Sequence, residues 1–250
     1  MTQALFISFF FGLVIGSFVT VVGYRVPRGE SIVGPRSRCT TCGAQIAAYD
    51  NIPVFSWLAL RGRSRCCGDK ISARYPLTEL SLGILYLATV AVLWDDPTEV
   101  ILGLVFVTTL LAVTLTDLDR RVIPNKVLFV AAGAGVAIAA VGDPSSLPER
   151  AIAAAAAGGG LLLVALAYPK GMGLGDVKLA AVMGLFLGRN VAPALLVALL
   201  AGSVVGLVLI ARHGAEARKR VIPFGPFLAL GGVVALLVGN QLVDWYLSAF

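Results

Sequence analysis

About seven stretches of this chain are apolar over enough consecutive residues to cross a bilayer, and an eighth is weaker. They fall at approximately 3–24, 77–94, 99–116, 127–142, 149–168, 177–188, 191–211 and 223–247. A helix needs about 20 residues to span the hydrocarbon, so the sixth stretch, Val177 to Gly188, is short enough to be re-entrant. The pattern predicts an all-α polytopic membrane bundle of about eight transmembrane helices. Composition agrees: 58% of the residues are hydrophobic before the 28 glycines are added, and only 14% are charged, against about 25% in soluble domains. Mean hydropathy is +0.89. These values exclude a soluble globular protein, a disordered chain and a nucleic-acid binder, despite an isoelectric point near 9.4. In a membrane chain, basic charge more often sets topology than binds a polyanion.

The charges are one-sided. Of the 20 Lys and Arg, 18 lie in four alternate segments: Arg25–Arg74, Arg120–Lys126, Lys170–Lys178 and Arg212–Arg220. The opposite loops hold only Arg150 and Arg189, together with Asp95, Asp96, Glu99, Asp143 and Glu149. Positive residues stay on the cytoplasmic side, which predicts an external N-terminus, a large cytoplasmic first loop and an external C-terminus. No Lys or Arg precedes the first stretch, and no small-residue cleavage site follows it, so a retained helix fits better than a removed signal. The organisation expected is a first transmembrane helix over 1–24, a cytoplasmic cysteine-containing loop domain over 25–76, and a membrane core of about seven helices over 77–250. The run Ala153–Gly160 (AAAAAGGG) suits close helix packing. It lacks the Lys-Ser/Thr that would follow the glycines of a nucleotide loop. No internal repeat is present.

All four cysteines lie in the polar loop, as Cys39-Thr-Thr-Cys42-Gly43 and Cys66-Cys67-Gly68. A Cys-x-x-Cys-Gly turn aims two thiolates at one centre, and two such turns about 20–30 residues apart suit a tetrahedral zinc ribbon. Here the second turn is irregular, because Ser64 stands where the first ligand of a clean pair would be. Three readings are open: a structural zinc on Cys39, Cys42 and Cys67 with Cys66 or another group as fourth ligand, thiols that bind no metal, and a disulfide pair. A reducing compartment disfavours the last. The single His213 belongs to another basic loop and reads as solvated.

Ionisable groups at span ends are weighed one by one, since charge near hydrocarbon is costly and usually functional. Thr116-Asp117-Leu118-Asp119 follows the third span and runs into Arg120, Arg121 and the breaker Ile123-Pro124-Asn125. Gly171-Met172-Gly173-Leu174-Gly175-Asp176 precedes the sixth, with Lys178 beyond it. On the predicted topology Asp117 and Asp176 share one depth. Two carboxyl groups brought together share a proton; one then activates water while its protonated partner polarises a peptide carbonyl. Gly173 and Gly175 would let a substrate backbone approach, with Lys178 beside them. The same acids also fit a proton- or cation-coupled transporter, or plain interface charges, with Asp176 as a helix cap. Asp119 is a stand-in for Asp117. Glu79 and Asp244 are further candidates, read as satisfying the inner and outer interfaces.

Taken in order, these pieces resemble the bacterial type IV prepilin peptidases. The resemblance runs from Gly16-Ser17-Phe18 and Tyr24-Arg25-Val26-Pro27-Arg28-Gly29 through Ser31–Cys39, Tyr49–Leu58 and Arg74-Tyr75-Pro76-Leu77-Thr78-Glu79-Leu80. It continues in Thr116-Asp117 to Ile123-Pro124-Asn125, the Gly-x-Gly-Asp box at Gly173–Asp176, and Ile222-Pro223-Phe224-Gly225-Pro226-Phe227. The resemblance implies that Asp117 and Asp176 are a catalytic pair in the bacterial inner membrane, facing the cytoplasm. It implies that the substrate is a prepilin or pseudopilin whose basic leader is removed. It also implies methylation of the new N-terminus from S-adenosylmethionine, since a cytoplasmic cysteine loop is typical of the methylating members; the metal ligands expected in that loop are Cys39, Cys42, Cys66 and Cys67. The chain departs from the family at Ser64 and Cys66, which break the second Cys-x-x-Cys, and at Thr20, where an asparagine is common.

Overall fold

Long apolar runs with no breaker inside them form helices, because only a helix satisfies its own backbone in lipid without a closed barrel. The computed structural model describes residues 1–169, 171–214 and 222–248. Its helices are α1 (Thr2–Arg25), α2 (Phe55–Ala59), α3 (Arg74–Val92), α4 (Pro97–Arg120), α5 (Asn125–Gly142), α6 (Leu147–Ala167), α7 (Leu174–Leu187), α8 (Val191–His213) and α9 (Gly225–Ser248). Among the described residues, seven helical stretches are long and apolar enough to cross a membrane. The 40-residue stretch Leu174–His213 is one of them and contains both α7 and α8. The short sixth stretch expected from the sequence is therefore the 14-residue α7, joined to α8 by a single turn, Gly188–Asn190. Among the described residues there is no extended strand, only two isolated bridges. Lys170, Arg218, Lys219 and Arg220, four of the cations behind the charge asymmetry, lie outside the described residues.

The chain forms two compact units, Met1–Trp94 and Asp95–Phe250. In the first, α1 and α3 run antiparallel at backbone distance: a Cβ at Gly12 would stand 2.8 Å from the Gly83 Cα, and one at Gly16 only 2.7 Å from the Glu79 Cα. Small residues permit such an approach in lipid, where packing rather than water exclusion holds helices together. The loop between them carries two tight turns and α2. Val54 has a positive φ of 61°, and its amide donates to Glu79 Oε2 at 2.7 Å. The Ser17 hydroxyl also bonds this carboxylate. Glu79 thus ties both the loop and α1 to α3, and it is buried.

The second unit packs α4, α7 and α9 around Phe106, Leu110, Met183 and Leu228, all essentially inaccessible. Phe106 and Phe186 stack with centroids 5.2 Å apart. The alanine–glycine run lies on α6. Ala153, Ala157 and Gly158 face α7, where a Cβ at Gly158 would be 2.8 Å from the Ala181 Cβ, whereas Gly159 and Gly160 meet nothing within 4 Å. At the end of this unit where α4 begins, Arg150 is not the exposed loop charge that counting made it. It lies inside α6, 6% exposed, pairs with Glu99, and donates to the Phe186 carbonyl at 2.7 Å and the Leu185 carbonyl at 3.3 Å. Unpaired carbonyls at the end of α7 attract the guanidinium, which is why the cation goes inside.

Candidate functional site

Asp117 occupies the last turn of α4, the negative end of its own helix dipole and a poor place for a carboxylate. The amide of Gly225, first residue of α9, offsets this by donating to Asp117 Oδ2 at 2.8 Å. A side chain at 225 would collide, its Cβ falling 2.7 Å from Oδ2 and 3.2 Å from both Cβ and Cγ. Arg121 follows with φ 54° and ends the helix, its amide bonding the Asp117 carbonyl at 2.9 Å. Asp176 lies in the first turn of α7, the favourable end, and its Oδ2 accepts the Gly173 amide at 3.2 Å. The capping role foreseen for it is real. Asp117 and Asp176 keep only 5% and 9% of their surface, so neither is a plain interface charge. Each commits one oxygen to a main-chain amide, and neither Oδ1 has a partner among the described residues.

Helix register brings the two acids to one level. Leu110, Met183 and Gly232 meet in a single layer, since a Cβ at Gly232 would touch Leu110 at 2.9 Å and Met183 at 3.3 Å. Each of these residues is seven positions along its helix from Asp117, Asp176 and Gly225 respectively, about 10 Å of helix in every case. The carboxyl groups lie within electrostatic range of one another, and Arg121 acts on Asp117.

The surrounding motifs fall into place around them. Ile123 fills the space beside Gly175, where a Cβ would stand 3.1 Å from its own, and a Cβ at Gly173 would meet Asp176 itself at 3.2 Å. The openings expected for a substrate at these two glycines are therefore partly taken by the chain. Lys178 is exposed, and its Nζ donates to Asn125 Oδ1 at 3.0 Å, joining α7 to the start of α5. Asp119 is exposed on α4, and Asp244 is exposed near the far end of α9; neither joins the pair. His213 is exposed at the end of α8. The residue that sequence reasoning left without a role is Gly225. Its string, Pro223-Phe224-Gly225-Pro226, was visible, but its partner lies 108 positions earlier.

In the other unit, the cysteine turns meet. The Sγ atoms of Cys39, Cys42, Cys66 and Cys67 all lie within 4.8 Å of one another, so that one metal ion can be held. All four are free thiols. Cys39 and Cys67 are 3.7 Å apart, Cys42 and Cys66 3.2 Å, and Cys66 and Cys67 4.0 Å. Ser64 sits beside the cluster, its Oγ 3.1 Å from Cys67 Sγ and accepting the Asp69 amide at 3.1 Å. The amides of Cys42 and Thr41 hold the Cys39 thiol down to about 6. Hydrogen bonding with Cys42 pushes Cys66 up to about 12.

Comparison with known proteins falls along the same division. Residues 10–93 match the model of the bacterial peptidase A24 N-terminal domain, and residues 104–211 that of the type IV leader peptidase family. The chain is 36% identical to a prepilin leader peptidase/N-methyltransferase of Aeromonas hydrophila, over 97% of this chain and 93% of the relative. It is 32% identical to one of Bacillus subtilis over 97% of each. Against one of Myxococcus xanthus it is 39% identical, over 82% of this chain and 63% of that protein. No solved structure gives a significant match.

Proposed function

Because the chain belongs to the type IV leader peptidase family, we propose that it is a membrane aspartic endopeptidase that removes the leader of type IV prepilins or pseudopilins, with Asp117 and Asp176 as its catalytic pair. What supports this reading is that both carboxyl groups are buried, each is bonded to a main-chain amide, and each lies seven residues along its helix from the layer of Leu110, Met183 and Gly232. Water held between the unengaged oxygens loses a proton to one carboxylate and attacks the scissile carbonyl. The other carboxyl, protonated, donates to the carbonyl oxygen, and the proton taken from water then passes to the leaving amine. The fixed amides of Gly173 and Gly225 spare the acids any reorientation during this exchange, which is where pre-organisation lowers a barrier.

The charge asymmetry supports an active site that faces the cytoplasm of the inner membrane, where a basic leader would be retained. The cysteine cluster suits zinc. A tetrahedron of Zn–S bonds near 2.3 Å places its sulfurs about 3.8 Å apart, and the separations of 3.2, 3.7 and 4.0 Å scatter around that value. Four thiolates leave no open position, so the ion would stabilise the loop. The second activity in the relatives' names, N-methylation, we extend to this chain, with S-adenosylmethionine as the methyl-donor substrate.

Co-expression with a prepilin tests the reading. Asp117→Asn and Asp176→Asn should each lower cleavage by at least about a thousandfold, on the scale of losing an essential acid or base, while the protein still inserts. Mass analysis of the pilin shows whether the leader is gone. Near-normal processing by either variant removes that residue from the mechanism.

A further inference from the structure

The loop of the first unit carries an open depression of about 510 Å³ that the peptidase reading leaves unused. Three cations line it, Arg61, Arg63 and Lys70, and among the described residues no acid does. The nearest acid in sequence, Asp69, accepts the Thr41 hydroxyl at 2.5 Å beside the cysteines. Arg63 and Lys70 face each other across an antiparallel bridge, an arrangement that is unfavourable for like charges unless something negative lies between or beside them. Among the described residues Arg63 reaches only the Gly68 carbonyl, at 3.4 Å.

Trp57 lines the same depression and is held in place. Trp57 donates its indole N–H to the Ile71 carbonyl at 3.1 Å, and Gly62 presses on the ring, where a Cβ would stand 3.0 Å from Cζ2. Arg61 adopts φ 51° and Gly62 φ 69°. Successive left-handed residues are costly for a non-glycine and persist where surroundings impose them. The depression also has a defined height. Its last lining residues, Ser72 and Ala73, lead directly into α3, a membrane-spanning helix. Polar groups at the mouth of a span lie at headgroup level.

We propose that this depression binds the phosphate of an anionic phospholipid headgroup, held by Arg61, Arg63 and Lys70 against the indole of Trp57. Its volume is that of a small-ligand site, and basic pockets beside spans suit lipid phosphates. The site stands independently of the aspartate chemistry and needs only that α3 spans a bilayer.

Trp57 supplies the reporter. The chain has three tryptophans, so Trp94→Phe and Trp245→Phe leave Trp57 as the sole emitter in the full-length protein in neutral detergent. Dioleoylphosphatidylglycerol should shift its emission saturably, with dioleoylphosphatidylcholine at least tenfold weaker. Arg61→Gln with Lys70→Gln should weaken binding about 25-fold, at about fivefold per cation. Arg61→Lys with Lys70→Arg should keep it within threefold. Arg36→Gln with Arg38→Gln removes the same charge from the same loop, away from the depression, and should also stay within threefold. A loop that had come apart would show a solvent-exposed Trp57 before any lipid was added, and Lys70→Gln alone then makes the comparison. Equal response to both lipids, an unchanged glutamine pair, or an equal loss in the Arg36/Arg38 variant overturns the proposal. So does inorganic phosphate saturating the shift at concentrations where the anionic lipid has no advantage.

Discussion

Replacing Gly225 by alanine separates the stability of the second unit from its chemistry. The new Cβ would start 2.7 Å from Asp117 Oδ2, and contact becomes ordinary only near 3.4 Å. The oxygen therefore withdraws by about 0.7 Å. The atom that yields furthest is the tip of a side chain, and the Asp117 Cβ and Cγ, at 3.2 Å, give by about 0.2 Å, so the fold survives. The loss is at most the charged hydrogen bond from the Gly225 amide, about 2 kcal/mol. Catalysis is less forgiving: a misplacement of about 1 Å costs about a hundredfold, and 0.7 Å scales to about 20–30-fold. Prepilin cleavage in membranes, normalised to protein that survives a thermal challenge in detergent, measures both quantities. Gly231→Ala is the contrasting control. Its Cβ would fall 2.1 Å from the Ala194 carbonyl oxygen, a backbone atom on α8. It should lose about 1–3 kcal/mol of stability from overpacking and leave the surviving molecules fully active. If Gly225→Ala cleaves within threefold of wild type per folded molecule, the Asp117 carboxyl does not depend on its present position and the reasoning fails.

Three further outcomes follow. Arg150→Met strands Glu99, which keeps 32% of its side-chain surface, and uncaps α7, so thermal stability in detergent should fall by about 1–3 kcal/mol, and adding Glu99→Gln should recover part of that loss; no change would mean that neither contact contributes to stability. The purified protein should carry about one zinc by elemental analysis, lost on Cys39→Ser or Cys42→Ser. Ser64→Cys with Cys66→Ser should retain it, and zinc content indifferent to Cys39 would remove the cluster as the site. Gly159→Ala, which meets nothing within 4 Å on a helix interior, should be neutral or stabilising by up to about 1 kcal/mol, whereas Gly158→Ala should destabilise.

The helices were legible because lipid demands long unbroken apolar runs, and α1, α3 and α5 begin and end within a few residues of the predicted stretches. The ends were less so. The apolar run of the third span ends at residue 116, but α4 continues through the polar Asp117–Arg120. Asp117 is thus inside a helix rather than beyond one. The sixth began at 177, yet α7 starts at Leu174 because Asp176 caps it. Arg150 misled charge counting, since its acceptors are carbonyls 35 and 36 positions away. The two acids stood out by type and neighbourhood, and the thiols by spacing. Gly225 was hidden because what demands it, a carboxyl on another helix, leaves no local trace.

The layer of Leu110, Met183 and Gly232 acts as a common gauge from which three helices count off the same distance, two to the acids and the third to the Gly225 amide that holds Asp117. Adding or deleting one residue in any of those intervals would swing its terminal group by about 100° and slide it by about 1.5 Å, while the apolar character of the helix stayed intact. Changes in chain length are therefore tolerable in the connections and ruinous in three short heptads, even at positions where almost any apolar residue would do.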